Sequence, residues 1–311
     1  MSGVEIVCCG EALVDLIPAG SGAWQARSGG SPLNVAVTAG RLGAPVRLAA
    51  VLSTDAFGRQ LTDHLRGSGV GLSSTVTKGV PTTLAVVAQP AGTDEPEFSF
   101  YVEGTTAADG AAAELGLPPD AGIVHAAGSV SLVLEPAASA YAAVLAGAGP
   151  DRLVSLDPNP RPAIAGALAP YLARLDGWLP HADLVKISRA DLAWLAPGAE
   201  PEGVARSWLG RGPTMVLLTM GAAGAVAVTA DCRVTVPGVP VRVVDTVGAG
   251  DAFTGSVLAS LSERSVRDAD GLAALDDGAI AEVLQRAVIV AALTCTRAGA
   301  DPPTAAELTA R

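Results

Sequence analysis

Short apolar runs, each the length of one buried strand, recur along the chain with stretches of helical spacing between them. The runs are Val4–Cys9, Val46–Leu52, Ile123–Ala127, Leu153–Leu156, Leu184–Ile187 and Met215–Thr219. Several are apolar at consecutive positions, so both faces must be covered, which is the condition of a central strand in a parallel sheet. Between them, Phe57, Leu61 and Leu65 recur at i, i+4 and i+8 within Ala56–Gly67, and Phe253, Val257 and Leu261 repeat that spacing. Glu282–Thr296 is mostly apolar and reads as a helix packed on the sheet. Strand–helix alternation predicts an α/β fold, doubly wound, with a mostly parallel central sheet and helices on both faces. At 311 residues, one domain spanning residues 1–311 with an appendage is the expectation.

Two stretches break the rhythm. Thr82–Gln89 and Glu97–Val102 are strand-like, with the turn-rich connector Pro90–Pro96 and no helix between them. They read as an antiparallel hairpin. Together with Ile17–Ser28 they predict a small β-sheet, formed by segments near 11–28 and 82–103, that serves as a lid over a cleft.

Charge narrows the function. The net charge is −11, from 20 basic and 31 acidic residues, and no Lys/Arg block reverses it locally. Nucleic acid and anionic membrane surfaces are therefore not expected partners. Cys8, Cys9, Cys232 and Cys295 form no C-x-x-C pair, and His64, His125 and His181 are scattered. This reads as reduced thiols without a zinc site. The N-terminal segment carries Glu5 and no basic stretch, and no apolar run approaches a membrane span. A soluble, cytoplasmic protein is expected.

The chemistry concentrates in Val243–Ser260, VVDTVGAGDAFTGSVLAS. An apolar strand is expected to enter Gly248-Ala249-Gly250, followed by Asp251 in the first turn of a helix. Glycines let the backbone turn sharply and approach a ligand, and the free N–H groups of a helix start attract anions. Small Thr254 and Gly255 would let the helix lie tightly on the sheet. A carboxylate beside an anion pocket repels a bound phosphate. It makes sense if Asp251 takes the proton of a hydroxyl attacking phosphorus, while the N–H groups hold the charge that develops on the phosphoryl group. An aspartate at this place also serves as a plain helix cap.

This segment resembles the D-T-x-G-A-G-D signature of the ribokinase-like (phosphofructokinase-B-type) carbohydrate kinases. Gly29-Gly30-Ser31-Pro32-Leu33-Asn34-Val35-Ala36 resembles the family's G-G-x-x-x-N-x-A, about 215 residues earlier. Arg41-Leu42-Gly43, Asp55-x-Phe57-Gly58, Gly10–Asp15 and Arg297–Ala300 extend the likeness over the chain. No G-x-x-x-x-G-K-[ST] is present, so a Walker-type loop is not the route.

The resemblance implies roles. Asp251 would be the general base, and Gly248, Ala249 and Gly250 the anion hole. Asp15, Gly29, Gly30 and Asn34 would meet sugar hydroxyls, although Asn34 also suits a helix N-cap. Ser155–Pro162, SLDPNPRP, resembles the D-P-N-x-R of fructokinases and 2-keto-3-deoxygluconate kinases, which would aim Arg161 at phosphate or substrate; a surface Arg in a Pro-rich turn is the plainer reading. Ser188-Arg189-Ala190-Asp191 stands where the family carries N-x-x-E, and both ends differ. Ser188 would face the nucleotide, and Asp191 would hold Mg²⁺ through water or simply be a first-turn helix charge. Thr219, Gly221 and Gly224 match a T-x-G-x-x-G that contacts the nucleotide, or an ordinary hairpin turn. Asp245 and the Val247 carbonyl occupy positions that imply an activating K⁺.

Phe98–Thr105 resembles the F-Y-x-x-G-T of the fructokinase branch, which would place Tyr101 on the lid, facing the sugar. The implied activity is ATP-dependent phosphorylation of a primary hydroxyl, with fructose as substrate. The alternatives are a 2-keto-3-deoxygluconate kinase, another sugar or nucleoside kinase, and a non-catalytic sugar- or nucleotide-binding regulator. Val102 stands where acidic-sugar kinases carry an Arg, and aromatics for a nucleoside slot are scarce. An exposed lid hairpin also offers an edge for a homodimer.

Overall fold

The computed structural model describes residues 3–88 and 97–309. The strands in chain order are β1 (Glu5–Cys9), β2 (Leu13–Pro18), β3 (Trp24–Gly29), β4 (Val46–Ala49), β5 (Val51–Ser53), β6 (Val76–Lys78), β7 (Leu84–Ala88), β8 (Glu97–Tyr101), β9 (Ala121–Ala127), β10 (Leu153–Asp157), β11 (Leu184–Ser188), β12 (Met215–Thr219), β13 (Ala225–Val228) and β14 (Arg233–Val236). The main sheet has the order β14-β13-β12-β11-β10-β9-β1-β4. From β4 to β12 all neighbours are parallel; β13 and β14 add an antiparallel edge.

Alternation along the strands feeds two cores. Ile6 and Cys8 point to one face, which is covered by the helices Ser31–Arg41, Ala249–Glu263 and Asp277–Thr294. Val7 and Cys9 point to the other, covered by Ala137–Ala146, Leu168–Trp178, Arg189–Leu195 and Pro201–Leu209. The doubly wound α/β fold expected from the apolar runs is the fold observed.

A second sheet, β3-β2-β7-β8, stands apart from the main one. β2 pairs antiparallel with β3 and parallel with β7, and β7 pairs antiparallel with β8. Gln89 and the connector Pro90–Pro96 lie outside the described residues.

Three local expectations are corrected. Val46–Leu52 is not one strand, because the ladder breaks at Ala50. The Ala49 carbonyl accepts from Gly10 N–H, and the Ala50 carbonyl from Val76 N–H, so β5 leaves to pair with β6. The stretch before Gly248 is not a strand either. Val243 and Val244 are 57% and 60% exposed. The N–H groups of Val244 and Asp245 donate to the Cys295 carbonyl instead of a sheet neighbour. Finally, Gly255 serves a helix–helix contact and not a contact with the sheet: a Cβ there would stand 2.5 Å from Thr38 Cβ. The helices 31–41 and 249–263 therefore lie in close contact, which brings their N-terminal ends together.

Strand order reverses at β1, which pairs with β4 on one side and β9 on the other. A crevice beyond the carboxyl ends of the strands at such a reversal is the place where open α/β sheets bind ligands.

Candidate active site

A cavity of about 1020 Å³ opens there, between the carboxyl ends of the main sheet and the small sheet. Both glycine-rich segments reach it. Gly30 has φ 101°, and a Cβ there would stand 2.7 Å from the Glu11 carbonyl. Gly248 has φ 75°, and a Cβ there would stand 2.4 Å from Ala300 Cβ. Each glycine starts a helix with no side-chain cap.

The N–H groups of Gly248, Gly250 and Asp251 have no partner among the described residues, whereas Ala249 N–H donates to the Thr246 carbonyl. Of the three residues expected to form the anion hole, Gly248 and Gly250 thus offer open amides and Ala249 does not, while Asp251 adds a third. Asp251 caps nothing. Its Oδ1 accepts from Ser31 Oγ at 2.7 Å and its Oδ2 from Asn34 Nδ2 at 2.8 Å. Asn34 lies inside the helix 31–41, not at its cap. Two such hydrogen bonds fix the direction of the carboxylate. The two signatures, far apart in sequence, thus converge on one carboxylate that lines the cavity.

Under the small sheet the wall includes Asp15, Gly30, Asn34 and Arg161. Burial and the Asp251 charge push the Asp15 carboxyl up to about 6, against the pull of Arg161. Gly29 does not line the cavity. It leaves room for Asp15, since a Cβ there would stand 2.2 Å from Asp15 Oδ2. Tyr101, expected to face the sugar, is 61% exposed and outside the wall. Alternation along β8 turns Phe100 into the cavity instead.

Sequence reasoning gave no role to Glu11, Ser31 or Lys186. Glu11 is buried; its carboxylate accepts from Ser129 N–H at 3.0 Å, and from Ser131 N–H and Oγ, which ties the β1–β2 link to the loop after β9. Burial nevertheless holds its pKa above the usual range. Lys186 Nζ donates to Asp157 Oδ2 at 2.9 Å. A lone charge inside the apolar run Leu184–Ile187 was the available signal.

At the far end, Ser188, Thr219, Gly221 and Gly224 line the wall, with an aliphatic surface that includes Val239, Val243, Val288 and Ala292. Thr219–Gly224 is at once a cavity wall and the turn between antiparallel β12 and β13. Ser188 caps the helix 189–195, accepting from Asp191 N–H and donating to Asp191 Oδ2. The S-x-x-D departure is therefore a reciprocal cap with one carboxylate oxygen to spare, and that oxygen, Oδ1, lies 4.0 Å from Arg161 Nη1. Val247 reaches the cavity, and Asp245 does not. The Asp245 oxygens accept from Val247 N–H at 3.0 Å and Gly299 N–H at 2.7 Å.

The chain belongs to the pfkB carbohydrate kinase family, whose profile matches residues 4–306. It is a sugar kinase. The fructokinase of Rhizobium leguminosarum bv. trifolii is 36% identical over 280 residues, covering 88% of this chain and 85% of that protein. A solved structure of fructokinase with bound ATP from Xylella fastidiosa superposes with a TM-score of 0.90 at 31% identity, covering 99% of this chain and 98% of that one. A double mutant of the Vibrio cholerae O395 fructokinase, in its fructose, ADP and potassium ion bound form, superposes at 0.88 with 27% identity, covering 100% and 99%. No helix among the described residues is long and apolar enough to cross a membrane.

Proposed function

We propose that the chain transfers the terminal phosphoryl group of ATP to a primary hydroxyl of fructose. The fructokinase relatives, and the ATP, fructose and ADP named for the solved neighbours, support this donor and acceptor. The observation that carries the mechanism is the Asp251 carboxylate, held by Ser31 and Asn34 beside three unpartnered N–H groups.

The sugar sits under the small sheet, its hydroxyls shared among Asp15, Asn34 and Arg161, with Gly30 in the same wall. The small sheet, with segments near 11–28 and 82–103 of a single 1–311 kinase domain, acts as a lid that excludes water. Asp251 accepts the proton of the attacking hydroxyl, and the amides of Gly248, Gly250 and Asp251 hold the phosphoryl oxygens in flight. Ser188, Thr219, Gly221 and Gly224 line the nucleotide channel, with the base against the aliphatic wall.

Two cations belong to this reading. Asp191 keeps one oxygen free of its cap, which suits a Mg²⁺ held mostly by water and phosphate. Bound there, Mg²⁺ would neutralise phosphate charge. Each Asp245 oxygen accepts only one N–H, so a K⁺ can share it with the Val247 carbonyl. The edge strands β3 and β8 carry exposed Trp24 and Tyr101, and a homodimer through the lid would cover them. Four free thiols and an ATP donor fit a cytoplasmic location.

ADP release measured across fructose, 2-keto-3-deoxygluconate, ribose and adenosine, with wild-type protein and Asp251→Asn, tests the reading. Fructose should give the highest kcat/KM, and the variant should be nearly silent. A faster alternative acceptor sinks fructose as the substrate, and an active Asp251→Asn sinks the base.

A further inference from the structure

The chain uses Arg at eighteen of its twenty basic positions and Lys at two, Lys78 and Lys186. Lys78 is a surface residue paired with Glu114 at 3.0 Å. Lys186 is 4% exposed, yet it lines the cavity. Its Nζ donates to Asp157 Oδ2, and Asp157 is 0% exposed with Oδ1 unpartnered among the described residues. On the other side a Cβ added to Gly250 would stand 3.0 Å from Nζ. The ammonium therefore lies between a fixed counter-ion and the very turn whose amides are open.

We propose that Lys186 is a catalytic residue that donates directly to the phosphoryl group in transfer, and that Asp157 is the positioning residue that keeps it aimed and charged. This rests on the placement of the phosphoryl group at the Gly248–Asp251 turn.

Charge bookkeeping explains why a fixed cation is needed. Asp15, Asp191 and Asp251 all line the space that an incoming phosphate chain must enter, and Glu11 lies in the same wall. The open amides supply only partial charges. The Arg161 side chain is 41% exposed, donates to its neighbour's carbonyl and lies 4.0 Å from Asp191 Oδ1, a looser hold than that on Lys186. Lys186 is held. Burial alone lowers its pKa, but Asp157, Asp191 and Asp251 together outweigh burial and raise it, so it stays protonated. Asp157 goes up as well, through burial against the pull of Lys186, because one ammonium faces several carboxylates. An ammonium suits the slot better than a guanidinium: it is a compact point charge with three rotatable donors, one spent on Asp157 and the others free to turn toward Gly250. Gly250 is the residue type that leaves this room.

In the step itself, a sugar oxygen forms a bond to phosphorus as the bond to the bridging oxygen of ADP breaks. The sugar proton goes to Asp251, and the electron pair of the broken bond stays on ADP. Lys186 keeps its proton throughout and bonds a non-bridging oxygen, more strongly as charge spreads over that group.

The test pairs two experiments. Lys186→Met alone strands a buried carboxylate, so it is compared with Lys186→Met/Asp157→Asn, which removes both charges at nearly constant shape. The double variant should fold, lose about 10²–10³ in kcat and keep its sugar KM within about threefold. Recovery of kcat to within about threefold of wild type would show the pair to be structural and overturn the proposal. Independently of any variant's folding, Nζ-labelled wild-type protein carries only two lysine ammonium signals, assigned with Lys78→Arg. The Lys186 signal should move when fluoroaluminate and fructose are added to the Mg·ADP complex, and much less with Mg·ADP alone. An unmoved signal under conditions where turnover is inhibited overturns the proposal. If Asp251→Asn is inactive and Lys186 fails these tests, this inference alone falls; if Asp251→Asn turns over normally, the phosphoryl placement falls with it.

Discussion

The two ends of the cavity are built from different materials. At the proposed reacting end three acids have named holders: Ser31 and Asn34 on Asp251, Ser129 and Ser131 on Glu11, Lys186 on Asp157. At the proposed nucleotide end most of the wall is hydrocarbon and glycine backbone, with the Ser188 and Thr219 side chains at its inner edge, and Val243 there is more than half exposed. Proton transfer needs groups fixed to a fraction of an ångström, so side chains are wired to one another. A purine that must enter and leave on every turnover needs only a smooth apolar slot. The contrast separates the sites where substitution should change kcat from those where it should change only KM.

The sharpest break is Asp251→Asn. It should lower kcat by about 10²–10⁴ while fructose binding, followed by calorimetry, is largely kept. Next, Asn34→Ala removes a bond to a charged group, for which about 1.5–3 kcal/mol is usual, so kcat should fall by roughly 10–10² in steady-state assays. Acid acts on the same end. Burial and the Asp251 charge lift the Asp15 carboxyl to about 6, so lowering the pH through 6 should protonate it and weaken the sugar contact proposed for it. By pH 5 only about a tenth remains ionised, and the fructose KM should rise about tenfold, whereas Asp15→Asn should show a flat KM profile. Gly250→Ala places a methyl 3.0 Å from the Lys186 ammonium, which must shift. It should lower kcat several-fold to about tenfold with Tm nearly unchanged. The smallest effect belongs to the other end: Val243→Ser should raise the ATP KM about two- to threefold and leave kcat alone, since a half-exposed side chain contributes well under its full burial energy. A large kcat effect at Val243 would erase the distinction between the ends.

Much of the fold could be read from the sequence, because strands buried on both faces must be apolar throughout. What could not be read were the places where a tertiary partner decides. Val243 and Val244 have strand-like composition, but their neighbour is the end of a helix, at the Cys295 carbonyl. Val46–Leu52 reads as one strand, and only the pull of Val76 on Ala50 divides it. On β8 the alternation of Phe100 and Tyr101 was visible and its phase was not, so the wrong ring was expected inside. In the site, the glycines and Asp251 carried a signal because their backbone demands are rare. Ser31 carried none, since its hydroxyl matters only through a partner 220 residues away. The aliphatic wall was invisible for a similar reason: its valines and alanines look like any others.

The separation between Asp251 and its two holders has a consequence for biosynthesis. The hydroxyl and amide that orient the acid are translated 220 and 217 residues before the acid itself. A prematurely terminated chain contains one half of the device and can do no chemistry with it. With Asp251 as the proposed base, turnover would first appear only once these two distant segments have met.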